Sequence, residues 1–168
     1  YCAAIDNSPQ ERIANWRLAA SRGHVPSMLQ YASGAVFGRN DLLSTLDELK
    51  SYRDIAPSLM ERAAATGNLD AHLMLARAYA PNWSGPDTTA LFRQTVSNKS
   101  AAKALAHFLI AQQLVNVGGE AVAHEARMVE REIAMIKASM APAEIAGAEQ
   151  KARELRLSMR QTSEVRLP

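Results

Sequence analysis

The chain has 168 residues, long enough for one domain that buries its own core without disulfide or metal staples. It is 48% hydrophobic but only 5% aromatic and 21% charged, and much of the apolar share is alanine, which favours helix over sheet. Nineteen Lys and Arg against seventeen Asp and Glu leave +2, with the signs interleaved along the chain, so no basic face for nucleic acid is expected, and no run approaches the roughly 20 apolar residues of a membrane span.

The first residues lack the basic-then-apolar layout of a signal peptide, and a soluble chain is expected. The single cysteine, Cys2, has no internal disulfide partner and no neighbouring His to activate it. It reads as a passive thiol. Pairing with a cysteine outside this sequence, or a lipid anchor for which Tyr1 is a poor neighbour, stay open. The first helix signal is Ser8-Pro9-Gln10-Glu11, a capping box with proline in the first turn. Ile13, Trp16, Ala19 and Ala20 then share one face, and Gly23 ends the helix. A second helix follows from about Pro26, with Met28, Tyr31 and Ala35 inward.

Residues 40–52 repeat the helical pattern with Leu42, Leu43, Leu46 and Leu49 inward, and Ala56-Pro57-Ser58 reads as the opening of a separate helix carrying Leu59, Met60, Ala63 and Ala64 to a stop at Gly67-Asn68. Ala71, Leu75 and Tyr79 line its partner. Residues 81–100 are punctuated by Pro, Gly, Ser and Asn around a short helix from Asp87 to Gln94, a long connection. Ala102 to Leu114 forms the next helix, and Gly118-Gly119 breaks it. Beyond that break, Val122, Ala126, Val129, Ile133, Ile136 and Met140 recur at spacings of 4, 3, 4, 3 and 4, a sustained apolar seam. After Pro142, Ile145, Ala148, Ala152, Leu155 and Met159 keep a complementary rhythm, so the last two helices are expected to close as an antiparallel hairpin. Trp16, Leu75, Tyr79, Ile133 and Leu155 are expected to be largely buried.

Internal repetition organises these elements. Ala19-Ala20-Ser21-Arg22-Gly23-His24, with Ser27 and Tyr31, superimposes on Ala63-Ala64-Ala65-Thr66-Gly67-Asn68, with Ala71, Leu75 and Tyr79, at a period of 44 residues. Small residues let two helices approach, and the glycine makes the turn between them. The second copy resembles the Sel-one-like repeat family, relatives of the tetratricopeptide repeats, at every position of the pattern Ala-Ala-x-x-Gly-His/Asn-x-x-Ala-x-x-x-Leu-x-x-x-Tyr. The first copy departs at Ser27, Tyr31 and Ala35. Residues 104–111 look like the first helix of a third unit, and residues 140–153 are similar to the closing segment of bacterial members, although Ala141 stands where Ser or Thr usually caps the helix.

The resemblance covers residues 9 to 160. It implies an all-α domain over residues 1–160, a right-handed α-α solenoid of two to three helix pairs closed by the C-terminal hairpin, with residues 161–168 as a flexible tail. It also implies a scaffold or adaptor that binds a protein or peptide partner without catalysis. The source is expected to be bacterial and the compartment cytoplasm or periplasm, with the exported form favoured. A dedicated inhibitor or immunity protein of a secreted enzyme would use the same surface.

The candidate binding residues are Arg12, Asn15, Arg62 and His107, polar positions on the first helices of successive pairs, with Trp83 and Phe92 as aromatic bulk carried by the long connection. Each has a plainer alternative, a solvated helix face for the polar four and a cover over a helix end for the aromatic two. Reversing the charge of Arg12 and Arg62 together is expected to weaken binding. An enzyme on a helical solenoid is the third reading, and little favours it. His24 occupies the repeat turn, His72 and His107 read as groove lining or surface, and His124-Glu125 lacks the second His of a zinc helix. Acidic residues sit beside Lys or Arg at helical spacings, and no nucleophile elbow, phosphate loop or dinucleotide fingerprint occurs. No cofactor or metal is expected. The oligomeric state is open.

Overall fold

The computed structural model describes residues 8–38, 44–83, 90–117 and 123–164, and among them it contains eight helices and no strand. These are α1 (Pro9–Ser21), α2 (Val25–Ala32), α3 (Leu46–Ala65), α4 (Leu69–Tyr79), α5 (Ala90–Thr95), α6 (Ala101–Val117), α7 (Ala123–Lys137) and α8 (Pro142–Glu164). None is long and apolar enough to cross a membrane. Cys2, Leu42, Leu43, Gly118, Gly119 and Val122 lie outside the described residues.

The α1 start follows its sequence signal: Ser8 Oγ accepts from the Glu11 backbone N–H at 3.3 Å. The turns after α1 and α3 share one geometry. Gly23 and Gly67 both have positive φ, 95° and 79°, a conformation that costs other residues a Cβ clash. Ala20, Ser27, Ala64 and Ala71 are buried at the crossings, so the small residues do let the helices close. At the second turn Asn68 Oδ1 accepts from the Ala71 N–H at 3.0 Å. At the first, His24 Nδ1 lies 2.7 Å from Ser27 Oγ, which ties the histidine to its own turn.

Each of the first helices packs against its neighbour, α1 on α2, α2 on α3 and α3 on α4, and α4 then packs along α6. Tyr31, Phe37 and Tyr52 join α2 to α3 with ring centroids 5.1 to 6.1 Å apart, and the buried Tyr52 hydroxyl donates to the Ala32 carbonyl at 2.9 Å. Arg17 on α1 reaches Glu48 on α3 through two nitrogens at 3.1 and 3.2 Å.

Several sequence expectations are corrected. Residues 46–65 form one helix rather than two, and Pro57 sits inside it. Proline has no N–H for the Arg53 carbonyl, at a cost of about 3 kcal/mol in a helix interior. The offset is one continuous buried face on both sides of it, formed by Tyr52, Ala56, Leu59, Met60 and Ala63. Leu46 is 54% exposed and Ala35 is exposed, so neither faces inward. Trp16 and Leu155 are half-buried instead of buried, while Leu75, Tyr79 and Ile133 are buried. The C-terminal helix continues through Glu164, so residues 161–164, read from sequence as the start of a tail, are helical.

The closing helices also differ from a hairpin. Among the described residues α7 and α8 each pack along α6, and extensive packing of one on the other is absent. They meet at their turn through Lys137 Nζ and Glu149 Oε1, 3.0 Å apart, and through Ile136, Met140 and Ile145. The α8 start is capped without the usual hydroxyl, because the Ala141 N–H donates to the Glu144 carboxylate at 2.9 Å. Their seams face α6 because Phe108, Ala111 and Leu105 present an apolar surface to both.

Leu75 is 1% exposed and belongs to the main core cluster. Leu75→Ala is expected to cost about 2 to 5 kcal/mol in a urea titration, through lost contacts and a cavity. A loss on the order of a surface substitution, below about half a kcal/mol, would contradict the repeat register.

Candidate functional site

Where α8 crosses the second helix pair, four helices leave an open pocket of about 330 Å³. Helical spacing selects its lining. His72 and Tyr79 lie seven residues apart on α4, Lys103 and His107 four apart on α6, and Lys151, Leu155 and Met159 four apart on α8. The last turns of α3 add Glu61, Ala64 and Ala65.

The floor is a pair of histidines. His72 Nδ1 and His107 Nδ1 are 3.0 Å apart, and both residues are buried, at 2% and 9% exposure. One ring nitrogen donates to the bare nitrogen of the other. His72 Nε2 lies 3.3 Å from Met159 Sδ, and a thioether accepts but cannot donate. With the His72 proton on Nε2, its Nδ1 is bare and the His107 Nδ1–H is the donor; the opposite tautomers reverse the bond. Such a bond holds with both rings neutral. Burial pushes His72 down to about 4, opposed in part by the Ala64 carbonyl. His107 is pushed down to about 3, first by burial and then by the nearby charges of His72 and Lys103.

Above the floor, the Tyr79 ring stacks parallel to His107 with centroids 6.0 Å apart. Its hydroxyl donates to Glu61 Oε1 at 3.1 Å, and burial followed by the Glu61 charge raises the phenol to about 12. Lys103 Nζ stands 4.9 Å from the centre of the same ring. Lys151 pairs with Glu154 at 3.7 Å on the exposed side of α8. The pocket therefore joins an uncharged floor and apolar walls to a rim that carries two lysines and one glutamate. Among the described residues, no three of His, Cys, Asp and Glu are grouped to hold a metal ion.

The residues singled out from sequence do not form one site. His107 is in the pocket. Arg12, Asn15 and Arg62 are exposed, and Arg62 Nη2 reaches the Ser21 carbonyl at 3.4 Å, at the opposite end of α1 from Arg12. Phe92 is 0% exposed and lies in the main core, so its ring has no surface to offer and it is withdrawn as an anchor. Trp83 is half-buried, packed against both large core clusters, with the Arg77 guanidinium 5.3 Å from its ring centre.

Glu61, Tyr79, Lys103, Lys151 and Met159 were not legible as site residues. Each helix carries its share at regular spacing, but only the crossing of α8 over α4 and α6 brings them together, and Met159 is 87 residues from His72. Compared with known proteins, the chain matches no family model, no curated protein and no solved structure.

Proposed function

We propose that this chain is a binding module that holds a partner polypeptide, and that the pocket between α3, α4, α6 and α8 receives an apolar side chain of that partner. The observation that carries the proposal is the pocket's own make-up: apolar walls open to solvent, a floor of two neutral histidines bonded to each other, and charge confined to the rim. Sites for uncharged groups are built this way. In this reading α1–α2 and α3–α4 are successive units of a Sel-one-like solenoid, and α8 closes its end over the pocket. Catalysis fits less well. A histidine held near pKa 3 or 4 is too weak a base to take a proton from a substrate at neutral pH, and each spends its Nδ1 on the other.

Ala65 is exposed and lines the pocket, so an indole in its place would fill the mouth without entering the core. The full chain is expected to capture a partner from extracts of its source cells, and Ala65→Trp is expected to lose at least about tenfold in affinity with an unchanged circular dichroism spectrum. The Arg12→Glu/Arg62→Glu double variant should bind like the parent. If the arginine pair abolishes capture and Ala65→Trp does not, binding belongs to the α1–α3 surface and the pocket proposal is wrong.

A further inference from the structure

Met159 brings a thioether to the histidine floor of the pocket. Its Sδ lies 3.3 Å from His72 Nε2, while the other ring nitrogen of His72 lies 3.0 Å from His107 Nδ1. One tautomer of the pair puts the His72 proton on Nδ1, where it is donated to His107, and leaves Nε2 bare. A nitrogen lone pair then faces the lone pairs of the sulfur, an arrangement that a cation between them relieves. Bonds of about 2.0 Å to nitrogen and about 2.3 Å to sulfur, the lengths zinc makes to these elements, span atoms up to about 4.3 Å apart. At 3.3 Å the angle at such an ion is about 100°, and the rotatable bonds of Met159 let it widen.

The donors decide which ion fits. Imidazole and thioether are neutral ligands, and thioethers select soft ions such as Cu(I). Among the described residues no Asp, Glu or Cys joins the two histidines in a group of three, so a divalent ion would enter without an anionic ligand. The rim does not supply the missing charge either. Lys103 and Lys151 are matched in number by Glu61 and Glu154, and Glu61 is engaged by the Tyr79 hydroxyl.

The other parts of a metal site are in place. The pocket opens to solvent, which gives an ion its way in and leaves room for a third ligand. His107 steadies the His72 ring by accepting its Nδ1–H, as the outer partner of a metal-ligating histidine does, and is itself stacked on Tyr79. We infer that the chain binds one soft monovalent cation of the Cu(I) class between His72 Nε2 and Met159 Sδ, with His107 as a positioning residue. This site is independent of the partner polypeptide proposed above.

The probe is Ag(I), which shares the ligand preference of Cu(I) and needs no reductant. The full chain carries Cys2→Ser, which removes a competing thiol, and is titrated with silver nitrate in chloride-free buffer by isothermal titration calorimetry. One ion is expected to bind with a Kd of about 1 µM or tighter, and NMR should show the His72 imidazole nitrogens and the Met159 methyl group shifting together. Met159→Leu, similar in volume, is expected to weaken binding at least about tenfold with an unchanged circular dichroism spectrum. His107→Leu should lose about tenfold, and His107→Gln, whose side-chain carbonyl can accept the same N–H, should restore it. A tenfold excess of zinc should leave the silver in place. Equal binding by the parent and Met159→Leu, or a Kd weaker than about 100 µM, overturns the site, and displacement by zinc overturns the soft-ion assignment. Equal binding by His107→Leu overturns the positioning role. None of these results touches the apolar-pocket proposal, which stands or falls on Ala65→Trp.

Discussion

Lowering the pH from 7 to 5 is expected to remove about 4 kcal/mol of folding stability, through His72 and His107 alone. Both are depressed below the ordinary value of 6.5, to about 4 and about 3, chiefly by burial. Above pH 6.5 both rings are neutral whether the chain is folded or not, so they contribute no pH dependence there. As the pH falls through 6.5 the unfolded chain takes up two protons that the folded chain refuses. Stability then drops by about 1.4 kcal/mol per pH unit for each ring, or about 2 kcal/mol each by pH 5. The result requires only that both rings stay neutral in the folded protein down to pH 5. Urea titrations followed by circular dichroism at the two pH values measure it. A His72→Gln/His107→Gln variant supplies the control, since its stability should lose this component of the pH slope whatever its value at pH 7. A parent whose stability changes by less than about half a kcal/mol would mean that the rings are open to water.

Phe92→Ala is expected to cost about 3 to 5 kcal/mol, as large as any single truncation in the core. The reason lies in where the connection between α4 and α6 goes. Phe92 is fully buried, in one cluster with Tyr52, Met60 and Leu75. Its neighbour Leu91 lies so close to the turn after α2 that a Cβ on Gly34 would come within 2.7 Å of Leu91 Cδ2. At the end of α5, Lys99 Nζ donates to the carbonyls of Ala78 and Arg93 at 2.8 and 2.9 Å. The segment is therefore docked to α2, α3 and α4. A thermal or urea midpoint close to the parent's would mean that α5 peels away without disturbing the core.

The helical class and most helix positions were legible because alanine-rich, 3.6-periodic segments with capping and glycine stops carry their own instructions. Ser8, Gly23, Gly67 and Asn68 act in the structure as their chemistry indicates. Pro57 misled, since local preference argues for a helix start and only the buried face across it outweighs that preference. Leu155 and Trp16 misled in the other direction: their spacing is right, but each stands at the edge of its packed face. Tertiary pairing was the least accessible. The rhythms of α7 and α8 match each other well enough to suggest a hairpin, yet each fits α6 equally well, and α6 offers apolar residues on more than one side. The pocket follows from that pairing, and so only His107 among its residues was singled out as a binding candidate.

The reach of α8 back to α3 and α4 bears on the order of assembly. Nearly all other helix contacts join elements that are adjacent or nearly so along the chain, and these close only short loops. The face of α4 that holds His72 is complete in sequence long before Met159 emerges from the ribosome. During synthesis the two histidines, Leu73 and Ala106 are made before the α8 residues that pack over them. Contact with α8 comes last in chain order and completes the pocket, so a chain truncated before Leu155 is expected to retain its early helices and to lack the Leu155, Ser158 and Met159 side of that pocket.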